Sequence, residues 1–236
     1  MEERGLWKIR TAGETPEIAG KTWAQALVTV EFLAVQTLLD HPQCPLSFHS
    51  ALVAKKNKNI MILGPNEAGK STLACALWQQ GWSLVGDDVT FVNGEAGSAC
   101  SAPRRVSLRR PSRALLGEDL WRQIQATPSY HQTTEGCVFH PYEVDGQKVV
   151  GASQLAGIIF LARRGVMLEP AQWQRLDPAR ALLALLPYSN VVRTRDPGEA
   201  LCRIQPLAAT VPAYDLGRGP LPDMIGVVEH LLQGAL

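Results

Sequence analysis

The alternation of apolar and polar positions divides most of the chain into readable segments. Trp23, Leu27, Val30, Ala34 and Leu38 recur at spacings of three and four, which predicts an amphipathic helix over 23–39. The stretch His41-Pro42-Gln43-Cys44-Pro45 stops it. Residues 46–54 alternate loosely and suit a strand, and the polar run 55–59 reads as a turn. Ile60-Met61-Ile62-Leu63 is a short buried strand that runs straight into a glycine-rich loop. From Ser71 to about Gln80, Leu73, Ala74, Ala76 and Leu77 give one apolar side to a helix, with Gly81 suited to its C-cap. Residues 82–92 read as a further strand, broken at Gly86-Asp87-Asp88. Residues 155–162 form another apolar strand. Residues 178–186 suit a helix with Asp177 as N-cap and Pro178 in the first turn, and a last helix spans roughly 222–233. Residues 1–20 and 93–150 carry little pattern.

A strand, a crossover helix and a further strand in this order predict an α/β fold, a mixed sheet with helices packed on it. No linker or repeat interrupts the pattern, so the expectation is one domain over 1–236 with its core at 46–92.

Composition narrows the function classes. The chain has 236 residues, 46% of them hydrophobic, enough for a packed core. Its formal net charge of +1 lacks the basic excess of a nucleic-acid or membrane-surface binder. The first ten residues hold no apolar signal region, and charged or polar residues interrupt the longest apolar stretch. Cys44, Cys75, Cys100, Cys137 and Cys202 are odd in number and widely spaced, which suits reduced thiols in a cytoplasmic protein. His131, His140 and His230 have no ligand spacing for zinc.

Chemistry enters at Gly64-Pro65-Asn66-Glu67-Ala68-Gly69-Lys70-Ser71-Thr72, which fits the phosphate-binding P-loop and stands between a predicted strand and a predicted helix. Gly64 and Gly69 permit the tight turn that brings backbone N–H groups, those of Asn66, Glu67, Ala68 and Gly69 among them, toward a phosphate chain. The positive end of the following helix faces the same anion. Lys70 reaches the β- and γ-phosphates, and the Ser71 hydroxyl suits Mg²⁺. Asp87 and Asp88 follow Lys70 by seventeen and eighteen residues. Adjacent aspartates on a strand face opposite ways, but a bend at Gly86 would turn both toward the phosphates. Phosphoryl transfer uses one carboxylate on the metal and, for a hydroxyl acceptor, another as base.

The segment 48–92, with His49, Gly64 to Thr72, Gly81 and the Asp87-Asp88 pair, resembles the core of the HPr kinase/phosphorylase family. The resemblance is closest to the small HPr-kinase-like proteins, including those beside lasso-peptide biosynthesis enzymes, and it extends weakly over the rest of the chain. It implies the P-loop core shared with phosphoenolpyruvate carboxykinases. It also implies an ATP- and Mg²⁺-dependent kinase acting on a hydroxyl, most plausibly a serine of a small protein or peptide. Lys70 would serve phosphate and catalysis, Ser71 and Asp88 the metal, Asp87 as general base, and His49 would sit near Asp87 and support it. The family forms hexamers, so a homo-oligomer is in view. The chain departs from the family in four places: only about 45 residues precede the core where the full-length kinases carry an extra N-terminal domain, it lacks the glycine-rich signature after the aspartates, it lacks the basic C-terminal loop, and it carries Asn66-Glu67 where Ser-Gly is usual. These departures put HPr itself, and the phosphorylase reaction, in doubt.

Arg104, Arg105, Arg109, Arg110 and Arg113 stand within ten residues that hold no acid. They read either as a solvated basic loop or as clamps on phosphates or an acidic peptide. Arg163-Arg164 follow a predicted strand, where open sheets place site residues. Competing functions are a transporter-type ATPase, which should carry an LSGGQ-like signature absent here, a non-catalytic nucleotide sensor or scaffold, and a small-molecule kinase.

Overall fold

The computed structural model describes residues 7–9, 18–20, 23–41, 44–93, 97–102, 104–145, 151–163, 165–193 and 197–234. The chain divides into two compact units, 1–44 and 45–236, where one domain was expected; the expected core at 46–92 lies within the second.

The first unit holds an antiparallel pair, β1 (Trp7–Ile9) and β2 (Ile18–Gly20), and helix α1 (Trp23–Leu39). The helix has the expected bounds, but Val30 and Leu38 on its expected apolar face are 46% and 44% exposed. Two three-residue strands offer too little surface to cover a helix of this length.

The second unit is built on a nine-stranded mixed sheet. The expected strand over 46–54 is two, β3 (Leu46–Phe48) and β4 (Ala51–Lys55), interrupted at His49-Ser50. Strand β4 turns into β5 (Lys58–Leu63) through Lys56-Asn57, both at positive φ, the two-residue hairpin geometry that matches strand twist. Helix α2 (Lys70–Gln79) leads to β6 (Ser83–Gly86), and β7 (Thr90–Asn93) follows the expected break. Strand β8 (Ser98–Ser101) returns along β7.

The poorly patterned middle is well folded. It contains β9 (Val106–Arg109), α3 (Arg110–Leu116), α4 (Glu118–Gln125), β10 (His131–Gln132), β11 (Gly136–Phe139) and α5 (Tyr142–Asp145). Strands β10, β11 and β9 form a second, three-stranded sheet. The chain then supplies β12 (Ser153–Leu161), β13 (Trp173–Arg175), α6 (Pro178–Leu185), α7 (Pro197–Thr210), β14 (Ala213–Leu216) and α8 (Leu221–Gly234). Asp177 caps α6 as expected, accepting from the Arg180 N–H at 2.9 Å.

Strand β12 lies parallel to β5 on one side and to β14 on the other, while β4 runs antiparallel beside β5. Side chains alternate between two cores. Ile60 and Ile62 of β5 meet Leu73 and Leu77 of α2 and Val228 of α8 on one face. Met61 and Leu63 meet Leu185 of α6 and Ile204 and Leu207 of α7 on the other. Burial on both faces explains why β5 and β12 read as unbroken apolar runs. The fold is therefore the expected α/β class, a mixed sheet flanked by helices. Among the described residues no helix is long and apolar enough to cross a membrane.

Candidate active site

The candidate site forms where β5 ends. Gly64 turns the chain there against the end of β12: a Cβ on Gly64 would stand 2.5 Å from the Leu161 carbonyl oxygen, so no larger residue fits. Gly69 adopts φ 100°, a left-handed conformation that glycine takes at little cost, and begins α2. Glu67 also takes positive φ, at 66°, at the exposed crest of the loop beside Asn66. Lys70 arches back across the loop, its Nζ donating to the carbonyls of Gly64 (3.0 Å) and Pro65 (3.2 Å). Burial lowers the pKa of its ammonium, and the charges of Asp87 and Asp88 oppose that shift.

The two aspartates occupy different environments. Gly86 brings them in under β8, where a Cβ would stand 1.9 Å from the Ser101 hydroxyl oxygen. Asp87 is buried, and burial pushes its carboxyl above the usual carboxylate range. The nearby Ser71 hydroxyl, the Ser107 N–H 3.5 Å from Oδ2, and the Lys70 charge hold that rise in check. Asp88 has positive φ, 78°, which turns it away from a strand path. Its Oδ1 lies 2.8 Å from His49 Nδ1 and its Oδ2 pairs with Arg104. The His49 hydrogen bond, with the Arg104 charge, holds this carboxyl below its ordinary value against the effect of burial.

His49 reaches Asp88 because β3 pairs with β7 at Phe48 and Thr90, and the buried Ser50 hydroxyl donates to Thr90 Oγ1 at 2.7 Å. His49 pairs with Asp88, where its expected place was near Asp87. The Ser71 hydroxyl faces Asp87, the aspartate expected to act as base, while both oxygens of Asp88, the aspartate expected on the metal side, hold cationic partners. Thr72 points away from the loop crest, its hydroxyl sharing a 2.8 Å hydrogen bond with Ser112.

The basic run is not a solvated loop. Arg104 pairs with Asp88, the Ser107 N–H approaches Asp87, Arg109 lies 3.1 Å from Glu67, and Ser112 meets Thr72. Four residues of this segment, Arg104, Ser107, Arg109 and Ser112, thus reach the two aspartates, the loop crest and the start of α2. Sequence reading missed Ser107 and Ser112 as members of this region; the alternation of Val106 and Leu108 with exposed neighbours, one strand turn of period two, was the available signal. Arg163 is held by Asp215 in a two-bond pair (2.7 and 2.5 Å) beside the loop and serves the scaffold. Arg164 lies outside the described residues.

Among the described residues no three His, Cys, Asp or Glu side chains gather into a metal cage. The Ser71 hydroxyl beside the Asp87 carboxylate is nevertheless a hard oxygen pair that suits Mg²⁺, which keeps few protein ligands and completes its shell with phosphate oxygens and water.

No family model and no curated protein matches the chain in sequence. A solved structure, that of the HPr(Ser) kinase/phosphatase from Coxiella burnetii, is similar over 80% of this chain and 97% of its own, at 17% identity and a TM-score of 0.41. The functional reading therefore rests on the residues of the site itself.

Proposed function

We propose that the chain is an ATP-dependent kinase that transfers the γ-phosphoryl group to a hydroxyl, most simply a serine of a small protein or peptide. The observation that carries this is the meeting of Lys70 and Ser71, from a glycine-bounded loop between strand and helix, with the buried carboxyl of Asp87. A phosphate cradle alone would suit any nucleotide-binding protein; a carboxyl of raised pKa beside it suits one that also moves a proton.

In this reading backbone N–H groups from Asn66 to Gly69 and the Lys70 ammonium bind the phosphates. Ser71, with Asp87 beside it, would hold Mg²⁺, which would supply charge neutralisation to the transfer. The acceptor oxygen forms a bond to the γ-phosphorus while the bond from that phosphorus to the β–γ bridging oxygen breaks, and ADP leaves. Asp87 takes the hydroxyl proton. The Ser71 hydroxyl beside it occupies the kind of position that an acceptor serine would take. Asp88, with both oxygens engaged, holds His49 and Arg104 in place and acts through them as a positioning residue.

The test compares Asp87→Asn and Lys70→Ala with the parent in nucleotide binding and in label transfer from γ-labelled ATP to serine-containing peptides. Asp87→Asn should bind ATP and fail to transfer. Near-normal transfer by that variant overturns Asp87 as base, and ATP binding unaffected by Lys70→Ala overturns the loop.

A further inference from the structure

The basic segment leaves one charged group whose position at the loop crest is not explained by the roles above. Arg109 ends β9, and its backbone is fixed by a close crossing. It sits opposite Gly136 on β11, where a Cβ would stand 2.7 Å from the Arg109 Cα and 1.9 Å from the Leu108 carbonyl oxygen. The Arg110 N–H donates to the Glu135 carbonyl at 2.9 Å, which fastens the next residue as well. A cation on this fixed base is aimed at the phosphate loop.

Its side chain bridges two acids, lying 3.1 Å from Glu67 and 3.3 Å from Glu135. Both contacts use one terminal nitrogen, Nη1. A guanidinium carries five N–H donors in a planar fork, so the Nε–H and the second amino group remain, and among the described residues they have no partner. Arg109 and Glu67 are both about half or more exposed, and a pair of that kind holds weakly.

Glu67 poses the complementary problem. It stands midway along the loop whose N–H groups cradle phosphate, and an acid there repels an incoming triphosphate. The guanidinium beside it offsets that charge. A terminal phosphate, with more charge and two oxygens spaced for the fork, is the stronger partner for the same group.

We infer that Arg109 is the clamp for the terminal phosphate of a nucleoside triphosphate on this loop, and that Glu67 is the group on which it rests between binding events. This rests on the reading of Gly64–Ser71 as a nucleotide loop. It makes Arg109 the residue that distinguishes a triphosphate from a diphosphate.

The test is calorimetric titration of the full chain with Mg²⁺–ATP and with Mg²⁺–ADP, on the parent, Arg109→Ala, Arg109→Lys, Glu67→Gln and the Arg109→Ala/Glu67→Gln double variant, with thermal unfolding to confirm each fold. Arg109→Ala should lose about tenfold or more in ATP affinity, the scale of a charge-assisted hydrogen bond, and change ADP affinity by less than about threefold. Arg109→Lys, which keeps charge without the fork, should fall between. Glu67→Gln, which removes the repelling acid, should bind ATP at least as tightly as the parent, and the double variant should stay about tenfold weaker than Glu67→Gln. Equal losses for ATP and ADP overturn the clamp. So does equal ATP affinity of the double variant and Glu67→Gln, which would reduce Arg109 to a neutraliser of Glu67. If Arg109→Ala does not fold, the ATP-to-ADP ratio of Arg109→Lys decides alone, and an unchanged ratio overturns the clamp. A parent protein that binds neither nucleotide overturns the loop reading and the clamp with it.

Discussion

Asp87 and Asp88 are neighbours in sequence whose carboxyls titrate in opposite directions, and this has separable consequences. Burial raises Asp87, so its ionised form is disfavoured in the folded state. It costs stability at neutral pH, and that cost disappears as pH falls through its raised value. Asp87→Asn should therefore unfold at a higher temperature than the parent at neutral pH, with the difference shrinking toward acid; a pH series of thermal unfolding measures it. With Asp87 as the proposed base, transfer needs the ionised form, so the acid limb of the rate profile should lie above the ordinary aspartate value of about 3.9. Asp88 is lowered by His49 and Arg104, so it contributes stability that is present above its unfolded value and lost as pH falls through its lower folded one. Asp88→Asn should destabilise at neutral pH and match the parent at strongly acid pH in the same series. The pairing of His49 with Asp88 was not legible in the sequence, because it depends on where the chain breaks between β3 and β4 and on the positive φ of Asp88. Lys70, Ser71 and Asp87 were legible, because loop, helix and strand are consecutive and local spacing alone brings them together.

Elements that bury both faces or carry their own stop signals were read nearly to the residue. Strand β5 and helix α2 with its loop belong here, as does α6 with the Asp177 cap. Residues 93–150 were not, because their strands are two to four residues long and draw their order from distant partners, β8 from β7 and β12, and β9, β10 and β11 from a second sheet packed on α2. Helix α7 escaped because Pro206 stands inside it, where a proline ordinarily ends a helix. The junction between β5 and β12 gives a sharp test at this scale. Gly64→Ala places a methyl 2.5 Å from the Leu161 carbonyl oxygen, so it should cost about 1–3 kcal/mol in chemical unfolding and weaken nucleotide binding, since the loop must shift. At the ends of β12 and β14, Arg163→Ala strips the partner from Asp215, a carboxylate only 3% exposed. Leaving a buried charge unpaired should cost about 3 kcal/mol or more by the same measurement.

Across the molecule, the parallel trio β5, β12 and β14 carries the glycine-bounded loop at its carboxyl end, where open sheets place their ligands, while antiparallel strands widen the sheet to nine. The α/β class followed from the order of elements, but the antiparallel neighbours and the division after Cys44 did not, because pairing between distant segments leaves little local trace. The second unit contains every residue of the proposed chemistry, from His49 to Ser112. The most direct test of the account supplies the purified full chain with Mg²⁺, γ-labelled ATP and serine-containing peptides, those encoded beside its gene included, with Asp87→Asn in parallel. The account predicts label on a peptide serine with the parent protein and none with the variant. Saturable binding of ATP with no label on any acceptor hydroxyl, or label that persists undiminished in Asp87→Asn, would contradict it.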